Sequence, residues 1–255
     1  MYSSVEVFYQ LFALHVEVPL IMTRKYLAFD IETAKILPKV AGDLLAHRPL
    51  GICCAATLAA DQNKPQLFYS TKSDGAPAAK MRKEDLVKFV DHLLEQTRSG
   101  YTIVTLNGLG FDFDVLAEES GRFVDCKQLA LSHVDIMFHV FCGKGFGIGL
   151  SAAANALGLG KPADVDGSIA PQLWQDGEHQ RVLDYVGQDC KITLEVAVTS
   201  EKQRVFRWVT KRGTISTFDI PSGWLSVKES MELPLPDTSW MDNPWPRSKF
   251  TAWLG

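Results

Sequence analysis

The sequence predicts an α/β domain built on a mixed sheet, and three observations lead there. Residues 25–33 alternate at strand period, with Leu27, Phe29 and Ile31 facing one way and Tyr26, Ala28, Asp30 and Glu32 the other. Two short apolar runs follow, 50–60 (LGICCAATLAA) and 66–70 (QLFYS), each bounded by breakers, so the three together read as an antiparallel meander. Next, KEDLVKFVDHLLEQTRSG sets Leu86, Phe89, Val90, Leu93 and Leu94 at helical spacing and stops at Gly100. The strand YTIVTLN, 101–107, comes straight after it. A strand that returns after a helix turns the meander into a mixed sheet.

Between these elements, TKSDGAPAAK (71–80) has the composition of a flexible loop. Beyond residue 107 the pattern is helical: a helix over about 112–120, shorter ones within 125–142 and 150–158, and a long one over about 177–209. The glycine-rich GKGFGIGL (143–150) has neither dinucleotide-binding spacing nor a P-loop lysine, and reads as a mobile turn. From about Lys211 the composition shifts to Pro, Trp and Ser. Trp224, Trp240, Trp245 and Trp253 are too many aromatics for a disordered linker. An extended tail stapled across the domain is the first expectation, with a base-stacking platform or a partner-docking segment as alternatives. The expected organisation is an N-terminal extension (1–22), a main domain (23–210) and this tail (211–255).

With 255 residues and 46% apolar composition, the chain can bury one sizeable core. A net charge of −4 provides no general basic footprint for nucleic acid, so any such binding must use local patches or metal ions. Cys53, Cys54, Cys126, Cys142 and Cys190 form no CxxC pair, which fits reduced thiols and a cytoplasmic protein better than a disulfide scaffold. Residues 1–22 carry no Lys or Arg and are interrupted by Glu6, His15 and Glu17. They match neither a membrane span nor a signal peptide, and no membrane partner is expected.

Three acidic constellations stand out. Asp30 and Glu32, at i and i+2 of the first strand, share a face about 6.6 Å apart. Two like charges on a buried face raise each other's pKa unless a cation lies between them, and hard Mg²⁺ or Mn²⁺ prefers such oxygens. In isolation the pair reads first as an edge strand with a solvated face. In NGLGFDFDVL (107–116), Asp112 opens a helix just after a strand; it either caps that helix or projects back toward the first strand. Asp114 points about 200° away from it. In LDYVGQDCKITLEVA (183–197), Tyr185 and Asp189 lie four apart on one helix face, where a hydroxyl beside a carboxylate can orient a water.

Taken together, Asp-x-Glu, Asn-x-x-x-Phe-Asp and Tyr-x-x-x-Asp, in that order, resemble the three motifs of the DEDD exonuclease superfamily, in its DEDDy branch. The resemblance covers roughly residues 25–200 and is closest to the proofreading exonuclease domain of family B DNA polymerases, with GLSAAANALGLGK before the third motif supporting the placement. It differs in having Asp114 where that family often has Pro. His133, His139 and His179 stand outside the motifs and read as core or surface residues.

The resemblance implies a ribonuclease H-like fold, a central mixed β-sheet flanked by helices. It also implies a stand-alone 3′–5′ exonuclease using two divalent ions, Mg²⁺ or Mn²⁺, held by Asp30, Glu32, Asp112 and Asp189, with Tyr185 aiming the attacking water. The implied partner is a single-stranded 3′ end, DNA more than RNA, contacted through Ile31, Thr33, Leu37, Asn107, Phe111 and Lys161. Ile36, Phe113, Arg181 and Lys191 are further candidates, of which Ile36 and Phe113 read first as core and Arg181 and Lys191 as charges on a solvated helix face. An exoribonuclease, or an inactive nucleic-acid-binding module, remain the competing functions.

Overall fold

A computed structural model describes residues 24–37, 43–160 and 167–255. The first strand, β1 (Tyr26–Thr33), pairs antiparallel with β2 (Ile52–Ala59), which pairs antiparallel with β3 (Gln66–Phe68). The crossover helix α1 (Lys83–Arg98) then returns the chain to β4 (Thr102–Thr105), parallel to the other edge of β1. A two-residue strand, β5 (Val134–Asp135), extends the sheet to the order β3-β2-β1-β4-β5. The motif-bearing strand is therefore central, and the solvated edge-strand alternative does not hold.

The alternation in β1 is buried on both faces. Leu27, Phe29 and Ile31 enter one core with α1, α2 (Asp112–Ser120) and α3 (Phe123–Ser132). Phe29 packs edge-on against Phe89 and Phe113, at centroid distances of 5.9 and 4.9 Å. Tyr26 and Ala28 enter a second core on the opposite face, beneath α7 (His179–Gln203). Cys190 of α7 donates to the Ala56 carbonyl of β2 at 3.3 Å, and a Cβ at Gly187 would meet Pro65 Cγ at 2.9 Å, so glycine there lets the helix approach the sheet. Helix α4 (Ile136–Lys144) closes the β5 edge and contributes to both cores.

The connections depart from the sequence reading in several places. Residues 71–80 fold on themselves, with a bridge between Thr71 and Pro77 and Lys72 N–H donating to Ala76 at 2.7 Å, because Asp74 and Gly75 supply a tight turn. The stretch 143–150 joins two helices: Gly145 (φ 83°) caps α4, and Gly149 precedes α5 (Leu150–Ala156). Helix α6 (Ala170–Gln175), whose short apolar pattern gave no clear period, lies beyond.

The long helix ends at Gln203 rather than at Val209, because Arg204 adopts a left-handed φ of 57°. VFRWV then follows strand rather than helix period: Phe206 and Trp208 are buried in β6 (Val205–Val209), which forms a hairpin with β7 (Ile215–Asp219). The remaining chain adds α8 (Val227–Met231) and α9 (Ser248–Thr251). Trp224 and Phe250 are among the largest fully enclosed side chains, and the Trp224 indole donates to the Ala197 carbonyl at 3.1 Å.

Because a buried tryptophan contributes about 3–5 kcal/mol relative to alanine, Trp224→Ala is expected to lower the midpoint of chemical denaturation by a corresponding amount. Trp240→Ala, at a residue 66% exposed, is expected to leave that midpoint nearly unchanged.

Candidate active site

The acids meet where β4 ends before β1 does. The parallel pairing stops at Ala28 and Val104, so the Ile31 N–H of β1 has no strand partner on that side. The Asp112 carboxylate accepts it instead, at 3.2 Å. One bond thus joins the first acidic motif to the helix carrying the second. On the other side of β1, the register with β2 shifts between Glu32 and Thr33, a bulge at the mouth of the site.

Asp112 reaches that position through a turn with tight steric demands. Asn107 lies in the left-handed region (φ 78°), and a Cβ at Gly108 would stand 2.3 Å from Thr105 Oγ1. Gly108 N–H donates to that hydroxyl at 3.0 Å, Thr105 Oγ1 pairs with His133 Nε2 at 3.0 Å, and His133 Nδ1 lies 2.6 Å from the Ala130 carbonyl. Facing a carbonyl, Nδ1 carries the proton, and burial pushes the His133 pKa down to about 3, which keeps the ring neutral.

Asp135, absent from the sequence reading, holds the other side of the turn. Its carboxylate accepts the N–H groups of Asn107 (3.0 Å), Leu109 (2.8 Å) and Phe138 (3.0 Å), the last as the N-cap of α4. The readable signal was an aspartate directly before the apolar run IMFHVF, a helix start.

From the opposite face, α7 delivers Tyr185 and Asp189 on one side of the helix, and both side chains line the same cavity. Asp30, Ile31, Glu32, Thr33, Asn107, Phe111, Asp112, Tyr185 and Asp189 all line one cavity of about 220 Å³, completed by Leu44, Leu106 and Gly167. Glu32, Asp112 and Asp189 are buried, whereas Asp30 keeps part of its surface toward the cavity. Burial first, and then the charges of Asp112, Glu32 and Asp189, hold Asp30 well above the usual carboxylate range. Burial likewise pushes Asp112 up to about 7, opposed by the hydrogen bonds it receives from Asp30 and Ile31. Burial and the neighbouring carboxylates keep the Tyr185 hydroxyl neutral.

As placed, no group of three His, Cys, Asp or Glu side chains among the described residues forms a single-ion site. The donor set still fits a hard divalent cation: all oxygen, largely enclosed and mutually repulsive around one cavity.

A family model described as RNase_H superfamily matches residues 27–199, the span from β1 to the last turns of α7. The chain belongs to the ribonuclease H superfamily. No curated protein matches it. Among solved structures, it is similar to the family B DNA polymerase of Pyrobaculum calidifontis at 22% identity and a TM-score of 0.49, covering 70% of this chain and 24% of that one. Escherichia coli exonuclease I, in a complex with a dT13 oligonucleotide, is similar at 16% identity and a TM-score of 0.37, over 71% of this chain and 42% of that one. Exonuclease I of Methylocaldum szegediense has 16% identity and a TM-score of 0.33, over 71% and 41%. The chain thus spans about a quarter of the polymerase and about two fifths of each exonuclease I.

Within this ribonuclease H superfamily fold, other sequence candidates fall elsewhere. Leu37 packs partly buried against the first core and does not line the cavity. Phe113 is wholly buried core, and Ile36 is exposed. Asp114 forms an ion pair with Arg48, which accounts for an acid in the position where proline was the alternative. Arg181 pairs with Glu178, and Lys191 is exposed on α7. Lys161 and residues 1–22 lie outside the described residues. His139 is core, packed edge-on against Phe218 and Trp224, and His179 stacks edge-on against Trp174. Among the described residues no helix is long and apolar enough to cross a membrane.

Two outcomes follow from the charges. Asp112 has a folded pKa of about 7 against an unfolded value near 3.9. Its contribution to stability is present below about pH 4 and is lost as pH rises to about 7. In EDTA at pH 8, Asp112→Asn is therefore expected to melt about 3 °C or more above the wild type. Mn²⁺ should raise the melting temperature of the wild type and not that of the variant.

His139 runs the other way. Burial lowers its folded pKa to about 4, so its stabilisation is present above about pH 6.5 and declines as pH falls. In denaturation titrations, His139→Gln is expected to remove about 1.4 kcal/mol per pH unit of acid sensitivity between those values.

Proposed function

We propose that this protein is a metal-dependent 3′–5′ exonuclease that hydrolyses the terminal phosphodiester of a single-stranded nucleic acid, DNA in preference to RNA. The observation that carries the proposal is the convergence of Asp30, Glu32, Asp112 and Asp189 with Tyr185 on one cavity, from three separated segments and both faces of the sheet. A structural role alone gives no reason to gather four acids where each raises the cost of ionising the next.

In this reading Asp30, Glu32, Asp112 and Asp189 hold two ions, Mg²⁺ or Mn²⁺. Such ions lower the pKa of a bound water and offset the charge that develops on the phosphate and the departing oxygen. The chain's own residues supply the rest. Tyr185, one turn from Asp189 on the same helix face, orients a water in the cavity; a hydroxyl that burial and the neighbouring carboxylates keep protonated positions the water rather than deprotonating it. Ile31, Thr33, Asn107 and Phe111 line the cavity and contact the terminal nucleotide, with the Phe111 ring offering a face to the base. Charge balance comes from the ions, which reconciles an acidic chain with a polyanionic substrate.

The preference for DNA rests on the polymerase-like form of the second motif, Asn-x-x-x-Phe-Asp at residues 107–112. The test is to incubate the protein with 5′-labelled single-stranded DNA and RNA in Mn²⁺ or Mg²⁺. A ladder shortening from the 3′ end is expected, faster on DNA, and chelation should stop it. Asp30→Asn and Asp189→Asn should each lower the rate by about three orders of magnitude or more while leaving the melting curve cooperative. Normal turnover by either folded variant, or 5′-end release, would overturn the proposal.

A further inference from the structure

The cavity of the acids does not end at Phe111. Leu44, Asn107 and Phe111 also line a second groove of about 470 Å³, whose far wall comes from the C-terminal segment: Trp245, Lys249 and Trp253. The family match ends at residue 199, so this wall belongs to the part of the chain that the superfamily fold does not account for.

The wall is held firmly by its neighbours. Phe250 is buried between Phe138 and Phe141, at 5.5 and 4.8 Å between centroids, and it anchors α9. The Trp253 indole donates to the Leu109 carbonyl at 2.7 Å, inside the turn that carries Asp112. The Arg247 guanidinium ties the segment to the Met231 and Leu233 carbonyls at 2.9 and 3.2 Å. On this base Trp245 remains 44% exposed, its ring edge so close to Gly147 that a Cβ there would lie 3.2 Å from it. Lys249 Nζ sits 4.3 Å from the ring centroid, and no carboxylate ion-pairs with it among the described residues. The two acids of the groove are already engaged: Asp114 pairs with Arg48, and Asp43 accepts the Leu45 N–H at 3.1 Å.

We infer that this groove receives the unpaired nucleotides on the 5′ side of the scissile bond, with bases packed on Phe111 and Trp245 and a phosphate on Lys249. The inference rests on the nuclease reading for its ligand, and it is supported by continuity with the acid cavity and by the pairing of a pre-positioned aromatic ring with an available cation. Base-on-aromatic packing and a tracking positive charge are how single strands are held without sequence preference. A short substrate fills only the cavity of the acids, whereas a longer one also occupies the groove.

The test compares a 5′-fluorescein dinucleotide with the corresponding octanucleotide. Binding is read by anisotropy in EDTA, and degradation is followed separately in Mn²⁺. Trp245→Ala is expected to weaken octanucleotide binding about tenfold and to raise KM for that substrate with little change in kcat. Lys249→Ala should also flatten the dependence of log affinity on log salt by about 0.7. Trp245→Phe and Lys249→Arg should restore most of each loss, which a merely unfolded segment would not do.

Variants that bind and degrade the octanucleotide as the wild type does would overturn the groove and leave the nuclease reading standing. A wild type that binds the octanucleotide through Trp245 and Lys249 yet degrades nothing would sustain the groove and overturn the nuclease reading. No octanucleotide binding by the wild type in EDTA, with or without degradation in Mn²⁺, overturns the groove.

Discussion

The hydrogen bond from Ile31 N–H to the Asp112 carboxylate is the point on which the rest of the site depends. It exists because β4 is shorter than β1, leaving a backbone donor of the central strand with no ladder partner. A buried donor must be satisfied, and a charge-bearing acceptor does so strongly. Filling the vacancy with an aspartate brings a second acid against Asp30, and the same contact that completes the sheet creates the electrostatic conflict of the site. Burial and the neighbouring acids accordingly hold both carboxyls above the ordinary carboxylate range.

The turn from Asn107 to Phe111 is built to hold this geometry. Gly108 and Gly110 both sit where a Cβ would overlap a neighbour, at 2.3 Å from Thr105 Oγ1 and 2.7 Å from Asn107 Oδ1. The backbone donors of the turn end on Asp135 and Thr105, and the Leu109 carbonyl accepts from Trp253. Neutral His133 closes the network from below. Three polar residues that do not line the cavity, Thr105, His133 and Asp135, thus fix the position of Asp112, which does. The C-terminal segment joins the network as well, so the tail is coupled to the site through the turn rather than lying on a remote surface.

The two cores divide the work of assembly. The face holding Phe29, Phe89 and Phe113 seats β1 against α1 and α2, which sets Asp112. The other, with Tyr26, Ala28, Cys190 and Trp224, seats α7 against β1 and β2, which sets Tyr185 and Asp189. Neither core alone completes the cavity. Packing on both faces of one strand is what converts three short motifs into one site.

From the sequence alone came the mixed sheet, the order of strands and helices through α2, and the five residues now found on one cavity. These were legible because their signals are local: a two-residue strand period, a helical repeat ended by Gly100, and acids at fixed spacing within single elements. What tertiary structure decided were features set by residues distant in sequence. The central placement of β1, the role of Asp135, the strand nature of 205–209 and the removal of Leu37 from the cavity all depend on which partner arrives across space. For VFRWV the local alternation was present but lost in the helical run before it, until Arg204 turned left-handed and ended that run. The tryptophans make the same point. Their number signalled a packed tail, but only the fold separates Trp224, enclosed between a helix and a hairpin, from Trp245, left open on the adjoining groove, because burial is a property of neighbours and not of the residue.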